Sequence, residues 1–371
     1  MKIAIIGASS GQLALCIKAK EMGIETICFA WEEGAVCKDY VDKFYPISVF
    51  EKDLIVEICK KEQIDGVVSN ASDILVEVIA FIAEKLNLQG NLYANVSRIK
   101  DKWYVRNSSK CIEELSSIWY ENYKDNEYPN VYPCVVKPTI GSANKGVFFV
   151  NNKEEFISAI HSIHSFTDTD IIIEEYVGGV EVSVESISFN RKHYILQITD
   201  KRNSGAPRFV ELEHHQPSLI DDIAKNKISI IIPKLLDILG FENGATHIEL
   251  KITPDNKVFL IEVNQRGGGD EISNQLVYLS TGYDYLKGII EVALNQFVEP
   301  VLYNHCYSGI YYLSLQTKHL LPFFNKVEAP AWLIQKTITD TQLREATGNY
   351  DRNGFFIYQG TRKIEESDLN M

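Results

Sequence analysis

The sequence predicts an α/β protein: a doubly wound parallel sheet at the N-terminus, then a β-rich remainder with few helices. Three observations predict it. Short apolar strands alternate with helical stretches through residues 1–86, the pattern of βαβ units. From about residue 131 onward, β-prone runs succeed one another, separated by glycine-containing turns. A length of 371 residues suffices for two or three domains.

The elements follow in order. Residues 2–6 (KIAII) read as a buried strand, and the turn GASSG at 7–11 leads into a helix through about Met22. Strands follow at 24–29 and 43–47, a helix at 52–62, a strand at 65–69 and a helix at 73–86. The first turn, GASSGQ, is not G-x-G-x-x-G, and after Phe29-Ala30-Trp31 the first acid is Glu32. A tight strand–helix turn is therefore the better reading than an NAD site. Residues 97–130 are polar and aromatic, with a helix expected near 111–123. Beyond them come a strand at 135–138, a loop at 139–146, a return strand at 147–150, a helix at 153–164 and a strand at 170–177. Strands at 182–189 and 193–199, a helix at 221–239, a hairpin over 248–263 and a helix near 283–297 follow. Residues 305–371 form a last small β-rich segment. No internal repeat or low-complexity tract interrupts this order.

Composition narrows the function. The net charge of −13 lacks the basic footprint of sequence-independent nucleic-acid binding. The seven cysteines contain no C-x-x-C pair, which suits reduced thiols in a cytoplasmic setting more than a disulfide framework or a zinc site. MKIAIIGASS enters a strand and a glycine turn without the pattern of a signal peptide. No apolar run reaches the ~18 residues of a membrane span.

The hairpin carries the strongest chemistry. In IELKITPDNKVFLIEVNQRGGG, residues 254–257 form the turn. With Asp255 and Asn256 at its centre, Glu249 faces Glu262 and His247 faces Asn264. His247, Glu249, Glu262, Asn264 and Arg266 then share one face. Carboxylates directly opposite repel each other, and a divalent cation between them gives the pairing a purpose. Glu, Glu and Asn oxygens suit a hard ion such as Mg²⁺; a solvated hairpin with outward acids is the plainer alternative. The Gly267-Gly268-Gly269 run lets a ligand approach the backbone.

Other segments fit a phosphate ligand. Lys137 ends an apolar strand and is followed by the small-residue loop TIGSANKG at 139–146. Such a loop can offer N–H groups to phosphates beside a lysine, or be an ordinary hairpin. In IIIEEYVGGVE at 171–181, a strand end could present backbone to an adenine edge and Glu181 to ribose, although the segment alone reads as an exposed acidic turn.

The ordered set resembles the ATP-grasp superfamily. The matching pieces are Lys102 in KDKW, Lys137 in YPCVVKP, the glycine loop, EEYVGGVE, GATHIELK and FLIEVNQRGGG, over about residues 1–300. The resemblance implies an ATP-grasp fold: an N-terminal doubly wound domain (1–96), a lid (97–181), a catalytic unit with an antiparallel sheet (182–300) and a small C-terminal subdomain (301–371). It implies that Lys102 and Lys137 bind ATP phosphates and that Gly141 and Ser142 belong to the lid loop. Glu174, Glu175 and Val177 would meet adenine, and Glu181 the ribose. Glu249, Glu262 and Asn264 would hold one or two Mg²⁺ ions, with Mn²⁺ an alternative. Arg266, with the Gly267-Gly268 backbone nearby, would stabilise an acyl phosphate, with Lys201 and His247 as further catalytic candidates.

Residues 199–215 (TDKRNSGAPRFVELEHH) resemble a substrate-facing stretch of amino-acid ligases in that superfamily. Lys201 or Arg202 would take a carboxylate or the γ-phosphate, and His214 or His215 the amine site; a solvated loop is the alternative for the His pair. The link from Lys102 to Lys137 is shorter and more aromatic than the superfamily pattern. The activity implied is an ATP- and Mg²⁺-dependent carboxylate–amine ligase acting through an acyl phosphate. Its partners would be a small acid and a small amine, not nucleic acid or membrane, and a homodimer is allowed. Two alternatives stand beside it: an ATP-grasp carboxylase or nucleotide-biosynthesis ligase, suggested by the start GASSGQLAL, and a nucleotide-binding regulatory protein without catalysis.

Overall fold

β1 (Lys2–Ile6), α1 (Ser10–Glu21), β2 (Glu25–Ala30), β3 (Lys43–Pro46), α2 (Lys52–Glu62), β4 (Gly66–Val68) and α3 (Asp73–Leu86) build the N-terminal layer. Its four strands are parallel in the order β3-β2-β1-β4. Both faces are covered, which is why β1 reads as an uninterrupted apolar run. The computed structural model describes residues 1–371 except 126, 142–144, 207 and 371, and except the side chain of 370.

Two short helices follow, α4 (Tyr93–Ile99) and α5 (Lys102–Ser109). The Asp101 side chain caps α5 by accepting from the Trp103 N–H. The helix expected near 111–123 is absent. The Ser116 N–H goes to the Val258 carbonyl, and the Trp119 N–H to Glu175 Oε1. Long-range partners thus take the hydrogen bonds that a local helix would need, and the link ends as β5 (Tyr120–Asn122).

β5 joins β6 (Cys134–Pro138), β7 (Phe148–Val150) and β8 (Ile171–Glu175) in a four-stranded antiparallel sheet, order β5-β8-β6-β7. α6 (Lys153–His164) covers one face, burying Phe156, Ala159, Ile160 and Ile163.

The remaining strands form one eight-stranded antiparallel sheet. They are β9 (Val180–Phe189), β10 (Lys192–Asn203), β11 (Glu211–Gln216), β12 (Gly244–Ile252), β13 (Val258–Asn264), β14 (Tyr307–Leu313), β15 (Leu333–Ile338) and β16 (Gly354–Gly360). Their order is β13-β12-β9-β10-β11-β14-β16-β15. The C-terminal strands continue this sheet through the β11–β14 pairing. α7 (Asp222–Leu239) buries Ile228, Ile231, Ile232, Leu235 and Leu236 against Val182, Val184, Ile248 and Leu250. This packing makes one face of the sheet apolar and leaves part of the other for polar side chains. The chain after β13 winds through a π turn at Ile272–Leu276 into α8 (Val277–Thr281) and α9 (Tyr285–Ala293); α10 (Leu321–Phe324) lies between β14 and β15. One apolar cluster joins Ile3 and Leu15 of the first layer to Ile290 of α9 and to Ile310 and Ile357 of the large sheet. No helix among the described residues is long and apolar enough to cross a membrane.

Gly179 joins the small sheet to the large one. Its φ is +114°, and a Cβ there would lie 2.3 Å from the Ile252 carbonyl oxygen. Gly179→Ala is expected to cost about 1–3 kcal/mol, the range for a strained backbone position. A urea midpoint unchanged from wild type would contradict this.

Candidate active site

The hairpin is the floor of the site. Glu249 pairs with Glu262 and His247 with Asn264, as the sequence predicts, although the turn is not the one expected. Thr253–Lys257 closes it, with the Asn256 N–H on the Thr253 carbonyl, and Ile252 pairs with Val258. A bulge at Ile261 absorbs the one-residue difference. It also allows Leu260 to face the α7 core while Glu262, two residues on, faces the site.

The cross-strand ladder fixes which side chains meet. Glu185 lies beside His247, Ser183 beside Glu249, and Glu181 between Lys201 and Lys251. Lys201 lies beside His214. Lys201 Nζ sits among three carboxylates: Glu249 at 2.6 Å, Glu211 at 3.0 Å and Glu181 at 3.2 Å. Burial alone would lower its pKa, but those acids hold it well above the usual lysine range. Burial also raises Glu211. Glu249, opposed by burial but facing Lys201 and His247, is held well below the carboxylate range. His247 lies between Glu185 (Nδ1, 2.7 Å) and Glu249 (Nε2, 3.3 Å). Burial disfavours its charge, yet the two carboxylates raise it to about 9. A Cβ on Gly268 would meet His247 Nδ1 at 2.8 Å and Glu185 Oε2 at 3.0 Å, so the glycine backbone rests directly on this pair.

The cations come from α5 and the four-stranded sheet. Lys102 opens α5; its Nζ donates to the Gly141 carbonyl (3.1 Å) and pairs with Glu262 (3.0 Å). Lys137 ends β6 and is buried against Glu174 (2.8 Å). Arg106 grips the same carboxylate with Nε at 2.5 Å and Nη2 at 3.3 Å. Burial would raise Glu174, but Arg106 and Lys137 bring it down to about 2. A cavity of about 210 Å³ runs between these parts, lined by Asp73, Lys102, Arg106, Gly141, Glu262 and Asn264 among others.

The other expected residues fall out as follows. Glu174 has its backbone paired on both sides and its carboxylate engaged, so it presents no free edge to an adenine. Glu175 is likewise paired through Cys134 and the Trp119 N–H. Val177 lies just past the strand end in irregular chain. Ser142 lies outside the described residues. Arg266 donates from Nε and Nη2 to Asp73 (2.9 and 3.1 Å) at the start of α3. Arg202 and His215 do not join the site. Arg202 pairs with Glu213 and Glu366, and His215 bonds Glu213 and the Tyr358 hydroxyl. Strand alternation puts both on the opposite face from Lys201 and His214. His214 and His215 occupy a buried strand, not a solvated loop.

Several residues escaped the sequence reading. Arg106 stands four residues after Lys102 on one helix face, a spacing that could have revealed it. Asp73, Glu185 and Glu211 carried no local signal. Nor did Asp270, which Arg352 grips at 2.5 and 3.1 Å while stacking 3.5 Å from the Tyr312 ring centroid.

No three or more His, Cys, Asp or Glu side chains among the described residues come together as a metal cage. Glu249, Glu262 and the buried Asn264 are neighbours in the β12–β13 ladder, and their oxygens make a small donor set by chemistry. It fits an ion such as Mg²⁺, which completes its shell with water and substrate phosphates.

Residues 130–275 match the family model of the ATP-grasp domain. The chain carries an ATP-grasp domain. It is 25% identical over 243 residues to alanine–anticapsin ligase of Bacillus subtilis, a match covering 58% of this chain and 51% of the relative. The chain thus spans about half the length of that relative. The L-amino acid ligase structure from Bacillus licheniformis superposes with a TM-score of 0.77 at 20% identity, covering 97% of this chain and 93% of that one. The biotin carboxylase domain dimer of Hydrogenobacter thermophilus 2-oxoglutarate carboxylase, in complex with MgADP, ADP and bicarbonate, superposes at 0.74 with 17% identity, covering 97% and 86%. At these identities the structures establish the ATP-grasp fold.

His247 predicts a pH dependence. Its folded pKa of about 9 lies above the ordinary 6.5, so the stabilisation from its charge is complete below pH 6.5 and lost as pH rises through 9. The melting temperature should therefore fall across that window, and in His247→Gln this component of the fall should vanish. An identical decline in both proteins would contradict the assignment.

Proposed function

We propose that this ATP-grasp chain is an ATP- and Mg²⁺-dependent carboxylate–amine ligase that forms an amide through an acyl phosphate. The observation that carries the reading is the meeting of Lys102 and Glu262 at one cavity, with a second carboxylate and a second lysine close behind them. Glu249 and Glu262 stand opposite each other in the hairpin, and Lys102, with Lys137 behind it, faces them from the lid side.

Lys102 and Lys137 would bind polyphosphate oxygens, with the main chain at Gly141 close to the γ-phosphate. Glu249, Glu262 and Asn264 would hold one or two Mg²⁺ ions, which when bound neutralise charge on the transferring phosphoryl group. An acid carboxylate would attack the γ-phosphorus, and ADP would leave. Arg266, aimed by its Asp73 clamp, would stabilise the resulting acyl phosphate beside the Gly267-Gly268 backbone. An amine nitrogen would then attack the acyl carbon, expelling phosphate and losing a proton. Glu181 would meet the ribose, and Val177 with the strand end the adenine. His247 would act as a positioning residue, holding Glu249 through Nε2. Lys201 would restrain the Glu181 and Glu249 carboxylates until substrate arrives. His214, on the site face, is the histidine available to the amine. The ligase relatives favour acid and amine as substrates of this site.

A panel of amino acids and small acids, assayed in pairs for ADP release from MgATP, tests this. At least one pair should stimulate release, and omission of Mg²⁺ should stop it. Glu262→Gln should lower turnover at least about 100-fold, since even outer partners of metal ligands carry 10- to 100-fold, with the circular dichroism spectrum retained. ADP release by that variant at the wild-type rate would remove Glu262 from the metal site.

A further inference from the structure

We propose that Arg106 sets the charge of the phosphate site: by sharing Glu174 with Lys137, it leaves the buried trio with one uncompensated positive charge directed at the nucleotide's polyphosphate. This rests on the nucleotide-binding reading above.

Arg106, Lys137 and Glu174 have side-chain exposures of 7%, 7% and 5%. Two cations and one carboxylate give the trio a net charge of +1. Lys137 and Glu174 alone would neutralise each other, and a lysine bound only to its own counterion offers little to a phosphate. Arg106 occupies Glu174 through both oxygens. Its Nη2 also donates to the carbonyl of Ile261 at 3.4 Å, the bulged residue that turns Glu262 toward the site. Lys102 lies one helical turn before Arg106 on α5. Lys137 feels both cations: burial, Arg106 and Lys102 all disfavour its charge, and Glu174 opposes them. An excess buried cation is costly until an anion compensates it, so the trio is built to receive one.

The charge role and a merely structural tie predict different outcomes. Arg106→Met and Glu174→Gln both break the ion pair, but the first removes a positive charge and the second a negative one. The probes are ADP and inorganic tripolyphosphate, titrated calorimetrically without Mg²⁺; tripolyphosphate excludes any effect on adenine. Arg106→Met should weaken both at least roughly tenfold. Arg106→Lys, which keeps the charge, should stay within about threefold of wild type, and Glu174→Gln should bind tripolyphosphate as tightly as wild type or more tightly. Wild-type affinity in Arg106→Met, or equal weakening in Arg106→Met and Glu174→Gln, would overturn the proposal. If Arg106→Met does not fold, tenfold weaker tripolyphosphate binding by folded Glu174→Gln overturns it, and retained binding there with retention in Arg106→Lys supports it. A wild-type protein that binds neither probe would instead defeat the nucleotide reading on which the proposal stands.

Discussion

The large sheet must be apolar on the side that packs α7 and densely charged on the part of the other side that faces the site, and a strand in unbroken alternation cannot always serve both. Four of its strands change phase in mid-course, β10 at Leu196, β15 at Ile334, and β13 and β11 beside the site. In β13 the bulge at Ile261 puts Leu260 in the core and Glu262 in the site. In β11 the bulge at Leu212, opposite Arg202 and Asn203 of β10, lets Glu211 turn to Lys201 while Glu213 faces Arg202 and His215. Bulges of this kind re-aim side chains at sheet edges and beside functional sites. Here they make the carboxylate field compatible with a packed core.

That field is balanced from outside the sheet. Glu262 meets Lys102 on α5, and Arg266 is clamped by Asp73 on α3. Arg352 from the C-terminal segment grips Asp270, where Asp270 and Glu271 both carry positive φ. The N-terminal layer, α5 and the C-terminal segment before β16 therefore each place one charged group against the hairpin and the turn that follows it. The site is a junction of distant segments held mainly by ion pairs. Burial makes such pairs costly to break, which favours a preformed arrangement over one assembled by the ligand.

The fold was largely legible in the sequence. Every strand and helix expected through residue 86 is present, because apolar runs bounded by turn residues leave few alternatives there. The Glu249–Glu262 pairing is legible too: the turn is longer than the spacing predicts, and the bulge at Ile261 restores the register. What the sequence hid were long-range effects. Nothing local distinguishes Arg202 from Lys201 or His215 from His214, yet one residue of phase sends each to a different face. Nothing near Glu174 in the sequence reveals that Arg106 and Lys137, both distant along the chain, occupy its carboxylate. The helix expected near 111–123 gave way because its backbone finds partners on β8 and β13.

The central claim is that the hairpin carboxylates and the bound nucleotide hold the metal jointly. Electron paramagnetic resonance of Mn²⁺, standing in for Mg²⁺, tests it most directly. Without nucleotide, Glu249, Glu262 and Asn264 should bind Mn²⁺ weakly; with saturating ADP the free-ion signal should collapse at stoichiometric protein. The same Mn²⁺ affinity with and without ADP, or an undiminished ADP effect in the Glu249→Gln/Glu262→Gln double variant, would contradict the account.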